Sequence, residues 1–362
     1  MAVSLFVCFY RLGASYLDDW DESWYAEITK QMLRTGEFFV SQWNGGYMFD
    51  KPPLYMWFTA FLSVFLGLNE FSIRFTSALA GALTLLMTST YVYKKWGLLP
   101  SLLAFLTLAV NDTFIWRVRS GNVDGLVTYL ILLTFFATIS KNHYRYLWLG
   151  ILFTLIFLTK ASLVFFPVVA FGIYEIVSFK QDILKQWKGY ITVFLIFSLS
   201  IGTWLTIGTS KAGYDFLAYF LFKSDQGVSN ISLMYAKTEY IKYMIYSLQR
   251  YFIVPLFIGV FFMILNIRKK EYVLILIYSF FLVIMLSFTE RNNNWYLLPA
   301  MPFWSIIIGY ATYTLIHRSG KFSYITIVLI LLPSLYLTQK NIRGHIFPIF
   351  YTASSATHTE TS

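Results

Sequence analysis

The stretch DESWYAEITKQMLRTGEFFVSQWNGGYMFDKPP, Asp21 to Pro53, decides how the chain is read, because it is a long polar segment set between apolar blocks. It holds five acids, three bases and a rigid Lys51-Pro52-Pro53, whereas charged residues make up only 13% of the whole chain. A polar loop held against an apolar scaffold is a natural place for chemistry at a membrane surface. Within it Trp24, Tyr25, Ile28, Met32 and Leu33 fall at helical spacing, and Gly36 follows as a C′ residue. The spacing predicts a short amphipathic helix over Glu22 to Arg34, lying in the interface. Asp19 to Glu22 is a candidate N-cap with a reciprocal Glu. Pro52-Pro53 suits the start of a second interfacial or re-entrant helix that runs to Gly67.

Outside this loop the 362 residues are 57% hydrophobic and 20% aromatic, and apolar runs of hydrocarbon-spanning length recur. The expected fold is all-α, a polytopic transmembrane helical protein. Spans are expected at 71–93, 99–116, 123–140, 146–159, 161–178, 189–209, 247–267, 272–288, 296–316 and 322–338, and the apolar residues 1–10 bring the total to eleven. Residues 1–10 are only half a span, so either the helix continues past Arg11 by snorkelling or the recorded start lies inside a longer gene. Residues 1–338 form the expected transmembrane domain, with large outward loops at 18–70 and 210–246. The Ser/Thr-rich tail 339–362 is expected to be disordered.

The net charge of +10 does not point to nucleic acid, because Lys and Arg sit in short clusters between apolar runs. Lys94-Lys95, Lys141/Arg145, Lys180/Lys185/Lys188, Arg268-Lys269-Lys270 and Arg318/Lys321 occupy alternate connections, which assigns them to the cytoplasmic side. The opposite, outward side then collects Asp21, Glu22, Asp50, Lys51, Arg117, Arg119, Asp124, Lys160, Glu290 and Arg291. A charge at mid-bilayer costs about 2.5–3.5 kcal/mol on insertion scales, so charges gathered at one rim mark a polar cavity. Carboxylates beside fixed cations suit an anionic lipid-phosphate substrate and a proton to be removed. Cys8, the one cysteine, allows no intramolecular disulfide, and no Walker A or GxGxxG motif is present.

Several short motifs carry a resemblance. DE..YA......L..G from Asp21 to Gly36, DKPPL..W from Asp50 to Trp57, G..EFS.R from Gly67 to Arg74, RSG..D from Arg119 to Asp124, LTK at 158–160 and WYLLP..P from Trp295 to Pro302 occur in this order. Together they resemble the GT-C glycosyltransferases of the protein-mannosyltransferase and aminoarabinose-transferase superfamily. The resemblance implies transfer of a sugar from a polyprenyl-phosphate carrier to an acceptor, with inversion, at the outer face of the cell (inner or plasma) membrane.

By that resemblance Asp21 is the expected general base and Glu22 its companion, with helix capping as the alternative for both. Lys51, Arg117, Arg119, Lys160, Arg291 and Tyr296 are the candidate donor-phosphate contacts, one of the two arginines being only a rim charge. Asp50 and Asp124 are candidates for holding the sugar or a divalent cation, with service to the helix dipole as the other reading of Asp124. Arg74 is expected to pair with Glu70 at i,i+4. No definite cofactor is identified, and a divalent hard cation on Asp21, Asp50 or Asp124 is an open candidate. His143, His317, His345 and His358 all fall away from the outward loops, so a His-containing metal site is not expected. The expected partners are the lipid-linked sugar, a glycan, lipid or protein acceptor, and the bilayer. A transporter or flippase of lipid-linked sugar, or an inactive scaffold of the same fold, is the competing reading.

Overall fold

In the computed structural model the described residues are 1–223, 238–248, 251–289, 293–320 and Tyr336. They are helical nearly throughout. α1 (Ala2–Phe9) leads into α2 (Asp21–Thr35), then a two-residue hairpin of β1 (Gln42–Trp43) and β2 (Gly46–Tyr47), then α3 (Leu54–Leu66). The bundle follows as α4 (Glu70–Trp96), α5 (Leu98–Ala109), α6 (Asp112–Arg119), α7 (Val123–Ile139), α8 (Arg145–Thr159), α9 (Phe165–Phe179) and α10 (Trp187–Ala212). α11 (Tyr214–Ala218), α12 (Glu239–Ser247), α13 (Ile253–Leu265), α14 (Lys270–Ser287) and α15 (Met301–Ser319) complete it.

The interfacial helix forms as the spacing predicts, and Gly36 ends it in the left-handed region at φ 72°. Its expected side-chain cap is absent. Trp20 occupies the cap position, and Glu22 is drawn away to a longer-range partner described below. The hairpin was not foreseen, although Asn44-Gly45 carries its signal: both residues have positive φ, as a tight two-residue turn requires. Asn69 caps α4 with Ser72 in a reciprocal pair, and Asn111 and Asn122 cap α6 and α7.

Among the described residues, four helical segments have both the length and the apolarity to cross a bilayer: Glu70–Trp96, Ala161–Phe179, Asp182–Ala212 and Lys270–Ser287. The expected span 99–116 is corrected to two helices, α5 and α6, bent by 67° where Asn111 interrupts the apolar run and caps the second piece. The expected span 247–267 contracts to α13, because α12 takes residues up to Ser247. The expected 322–338 span, the tail, Glu290 and Arg291 lie outside the described residues, Tyr336 excepted.

Close approach of α4 to α6 and α7 rests on small residues, as helix contacts in lipid require. A Cβ on Gly81 would lie 2.5 Å from Val118 Cβ, and one on Gly125 would lie 2.8 Å from Ser77 Oγ. The fold thereby sorts polar groups to two ends. The α7 N-terminus and the α8 C-terminus meet α2 at one end, through Arg117, Asp124 and Lys160. The basic clusters gather at the other, where Lys95 pairs with Glu271 and Lys270 donates to the Ser178 carbonyl.

Candidate active site

Arg117, buried near the C-terminus of α6, is the centre of the site. Its Nη2 donates to Asp21 Oδ2 at 2.7 Å and also to Asp124 Oδ2, while its Nε donates to the same Asp124 oxygen at 3.0 Å. Lys160 Nζ, at the α8 C-terminus, completes the group by donating to Asp124 Oδ1 at 3.0 Å. Asp124 is buried and both its oxygens are engaged by cations, whereas the Asp21 side chain remains 38% exposed. Asp21 is therefore the acid with a face open to a reactant.

Aromatic faces enclose the cations. The Arg117 guanidinium lies 5.1 Å from the ring centroids of both Trp116 and Trp295, and Lys160 Nζ lies 4.3 Å above the Tyr296 ring. Trp295 and Tyr296 come from the short 3-10 helix Asn294–Ala300, which packs against α6 and α7. Tyr25 is fully buried beside this group, and burial together with the charges of Asp21, Asp124 and Asp50 raises its hydroxyl well above the ordinary tyrosine value. The three acids thus act on one point. Lys51 Nζ pairs with Asp50 Oδ2 at 2.6 Å, part-buried just before Pro52-Pro53.

Glu22 is brought to a different task. It is 2% exposed and accepts Arg74 Nε at 2.8 Å, Arg74 Nη2 at 2.6 Å, the Asp18 amide at 2.8 Å and the Gly121 amide. Burial works to raise its carboxyl pKa, but the Arg74 and backbone hydrogen bonds outweigh this and hold it below the ordinary glutamate range. The expected Glu70–Arg74 ion pair is thereby corrected: Arg74 turns to Glu22 and also donates to the carbonyls of Leu12, Ser15 and Tyr16. A buried guanidinium needs more acceptors than a single i,i+4 carboxylate supplies. Glu22 therefore faces Arg74 instead of a reactant, and its role is to lock α2 onto the 117–124 turn.

Arg119 is likewise taken up by the protein. It donates to the carbonyls of Val7 and Tyr10 at 2.8 Å each, which anchors α1. Of the candidate phosphate contacts, Arg117, Lys160 and Tyr296 converge on the Asp21 rim, Lys51 stands with Asp50, and Arg119 does not join them. Among the described residues no group of three or more His, Cys, Asp or Glu side chains is placed to hold a metal ion. Asp21 and Asp124 instead share the Arg117 guanidinium, which fills the place between them that a cation would need.

Sequence reading missed Trp116 and Trp295 as the walls around Arg117, and Asn122, whose Nδ2 holds the Arg117 carbonyl at 2.7 Å while its Oδ1 accepts the Asp124 amide. It also missed the loop supports: Trp57 Nε1 and Trp204 Nε1 bond the carbonyls of Phe38 and Phe39, and Glu37 pairs with Lys211. Trp295 lay inside a quoted motif. Trp57 closes the DKPPL..W motif and Asn122 sits inside RSG..D; Trp116, Trp204, Glu37 and Lys211 are each one aromatic or charged residue among many, and no local signal singles them out.

Residues 50–205 match the family described as dolichyl-phosphate-mannose-protein mannosyltransferase. An uncharacterized protein of Aquifex aeolicus (strain VF5) is 26% identical over 84% of this chain and 61% of its own length. The undecaprenyl phosphate-alpha-4-amino-4-deoxy-L-arabinose arabinosyl transferase of Aeromonas salmonicida is 33% identical over 25% of this chain and 17% of its own. In structure, ArnT from Cupriavidus metallidurans bound to undecaprenyl phosphate superposes with a TM-score of 0.74 at 19% identity, covering 91% of this chain and 62% of that one. The chain thus spans less than two thirds of the Aquifex relative and of the ArnT chain.

Proposed function

We propose that the chain is a GT-C glycosyltransferase that moves a monosaccharide from a polyprenyl-phosphate carrier to an acceptor, with inversion, at the extracytoplasmic face of the cell membrane, a reading supported by its fold and its matched segment. The observation that carries the reading is the Asp21 carboxylate, open on one side and fixed on the other by buried Arg117. An acceptor hydroxyl is a weak nucleophile. A carboxylate at hydrogen-bond distance takes its proton as the new bond to the anomeric carbon forms, help worth about 10²–10⁴-fold.

The leaving group, a lipid phosphate, departs as an anion and needs cations more than an acid. Lys51 and Lys160 supply them, with Tyr296 backing Lys160. Arg117 holds Asp21 in place, and buried Asp124 balances the positive charge of Arg117 and Lys160. The short basic loops assign the opposite end to the cytoplasm, which turns the Asp21 rim outward. Acceptors with a nucleophilic hydroxyl or amine, on a glycan, a lipid or a protein, all suit this chemistry.

The test is to incubate membranes containing the wild-type chain or Asp21→Asn with radiolabelled polyprenyl-phosphate sugars and cell-envelope acceptors. Label should leave the carrier with wild type and stay on it with Asp21→Asn. Equal loss from both would end the assignment of Asp21 as base, and no loss from any carrier with folded wild type would end the transferase reading.

A further inference from the structure

A second cavity lies at the end of the bundle away from Asp21. It has a volume of about 700 Å³ and opens where the C-termini of α7 and α9 meet the N-termini of α8, α10 and α14. Lys141, Arg145, Lys185, Lys188 and Lys270 stand in its wall, and no Asp or Glu does. Arg145 is satisfied from behind, by buried Glu175 at 3.0 Å, and Lys185 pairs with the exposed Asp182. Lys141, Lys188 and Lys270 make no ion pair among the described residues and leave a positive field over the opening. At its edge the Ser178 Oγ is buried without a hydrogen-bond partner among the described residues, a donor waiting for an acceptor.

An apolar groove of about 590 Å³ adjoins this cavity, between α8, α9 and α10. Glu175 and Tyr190 line its near end and Phe165 its far end, with Phe153, Phe157 and Phe197 along the wall. From Ile176 to Phe165 the α9 axis covers about 16 Å at 1.5 Å per residue, which is the hydrocarbon depth of one leaflet, about 15 Å. Gly172 faces the groove, and a Cβ there would meet nothing within 4 Å. Tyr144, Trp148 and Trp187 are all more than half exposed at the basic end, which sets that end at headgroup level.

We infer that this cavity and groove together bind an anionic phospholipid, its phosphate among the lysines and one acyl chain along α9. Basic recesses between transmembrane helices recognise such headgroups by charge, and the groove supplies what a free phosphate would not use. The site shares no residue with the Asp21 centre.

The full-length protein, purified in detergent and titrated with phosphatidylglycerol or phosphatidylcholine, would be followed by native mass spectrometry. The wild type should retain phosphatidylglycerol preferentially. Removing charge in the triple variant Lys141→Gln, Lys188→Gln, Lys270→Gln should weaken retention about fivefold per lysine, from about 1 kcal/mol each. Gly172→Leu, which fills the groove and leaves the lysines in place, should weaken retention of either lipid, and excess inorganic phosphate should displace neither. Equal retention of the two lipids, or a triple variant that binds as wild type does, would overturn the headgroup assignment. An unchanged Gly172→Leu, or displacement by inorganic phosphate, would overturn the acyl-chain assignment and leave a site for a soluble anion.

Discussion

Arg117 Nη2 lies 2.7 Å from Asp21 Oδ2, 96 positions earlier in the chain, and on its other side holds Asp124, so one guanidinium joins the start of α2 to the start of α7. Its hydrogen-bonding edge is divided between an accessible acid and a buried one. Lysine could satisfy one of them but not both in this geometry. Arg117→Lys should therefore fold and lose most turnover, whereas Arg117→Gln, which leaves Asp124 short of a counterion, should lose about 3–5 kcal/mol of stability. Thermal melts in detergent beside donor turnover separate the two.

Glu22 and Arg74 form a buried pair whose pH dependence has a definite sign. The folded Glu22 pKa is depressed by its Arg74 and amide hydrogen bonds, so its contribution is whole above the unfolded value near 4.5 and is lost as pH falls through the lower folded value. Melting temperature should fall below pH about 4.5 for the wild type. Glu22→Gln should flatten that limb and cost about 3–5 kcal/mol already at neutral pH, because Arg74 is left buried with no counterion. An acid limb of the same slope in Glu22→Gln would assign the effect elsewhere.

Lys51 stands before Pro52-Pro53 with Asp50 as its partner, and its proposed role is the donor phosphate. Lys51→Gln should raise KM for the lipid-linked sugar by about ten- to a hundredfold, the worth of a charged hydrogen bond of about 1.5–3 kcal/mol. The melting temperature should move little, since the pair is part-exposed. A large loss of stability with unchanged KM would make Lys51 structural.

Gly121 offers a test of packing at the site. A Cβ there would lie 2.6 Å from Ile73 Cγ2 and 3.6 Å from Glu22 Oε1, so Gly121→Ala must push α4 away or move the amide that Glu22 accepts. The expected cost is about 1–3 kcal/mol of overpacking, read as a lower melting temperature, with turnover reduced in step because the same turn carries Arg117 to Asp124.

The fold was legible in the sequence where a signal was periodic or compositional. Apolar runs gave the helices, Gly36 gave the end of α2, and the basic clusters marked one end of the bundle. The ordered motifs also drew together Asp21, Asp124, Lys160 and Tyr296, and the structure places them in one group with Arg117, a charge on the outward side that lies in none of those motifs. What escaped was pairing across long separations. Arg74 reads locally as the partner of Glu70, and nothing near it in sequence says that Glu22, 52 positions earlier, takes it instead once both are buried. Arg119 and Arg117, two residues apart, read alike as candidate phosphate contacts, with nothing to say which of them is only a rim charge. Only the turn of α6 decides that one faces the acids and the other the carbonyls of α1. The break at Asn111 was hidden because α5 and α6 together satisfy the length of a single span. The charged groups described here gather at the two ends of the bundle and do not line a path through it, which favours the transferase over a transporter of lipid-linked sugar.

The most direct test of the central claim compares purified wild type and Asp21→Asn in liposomes, measuring donor binding and release of free polyprenyl phosphate in the same samples. The account predicts near-equal donor affinity and a fall in release of about 10²–10⁴-fold for Asp21→Asn. Release by Asp21→Asn at the wild-type rate, from protein that binds donor equally well, would contradict it.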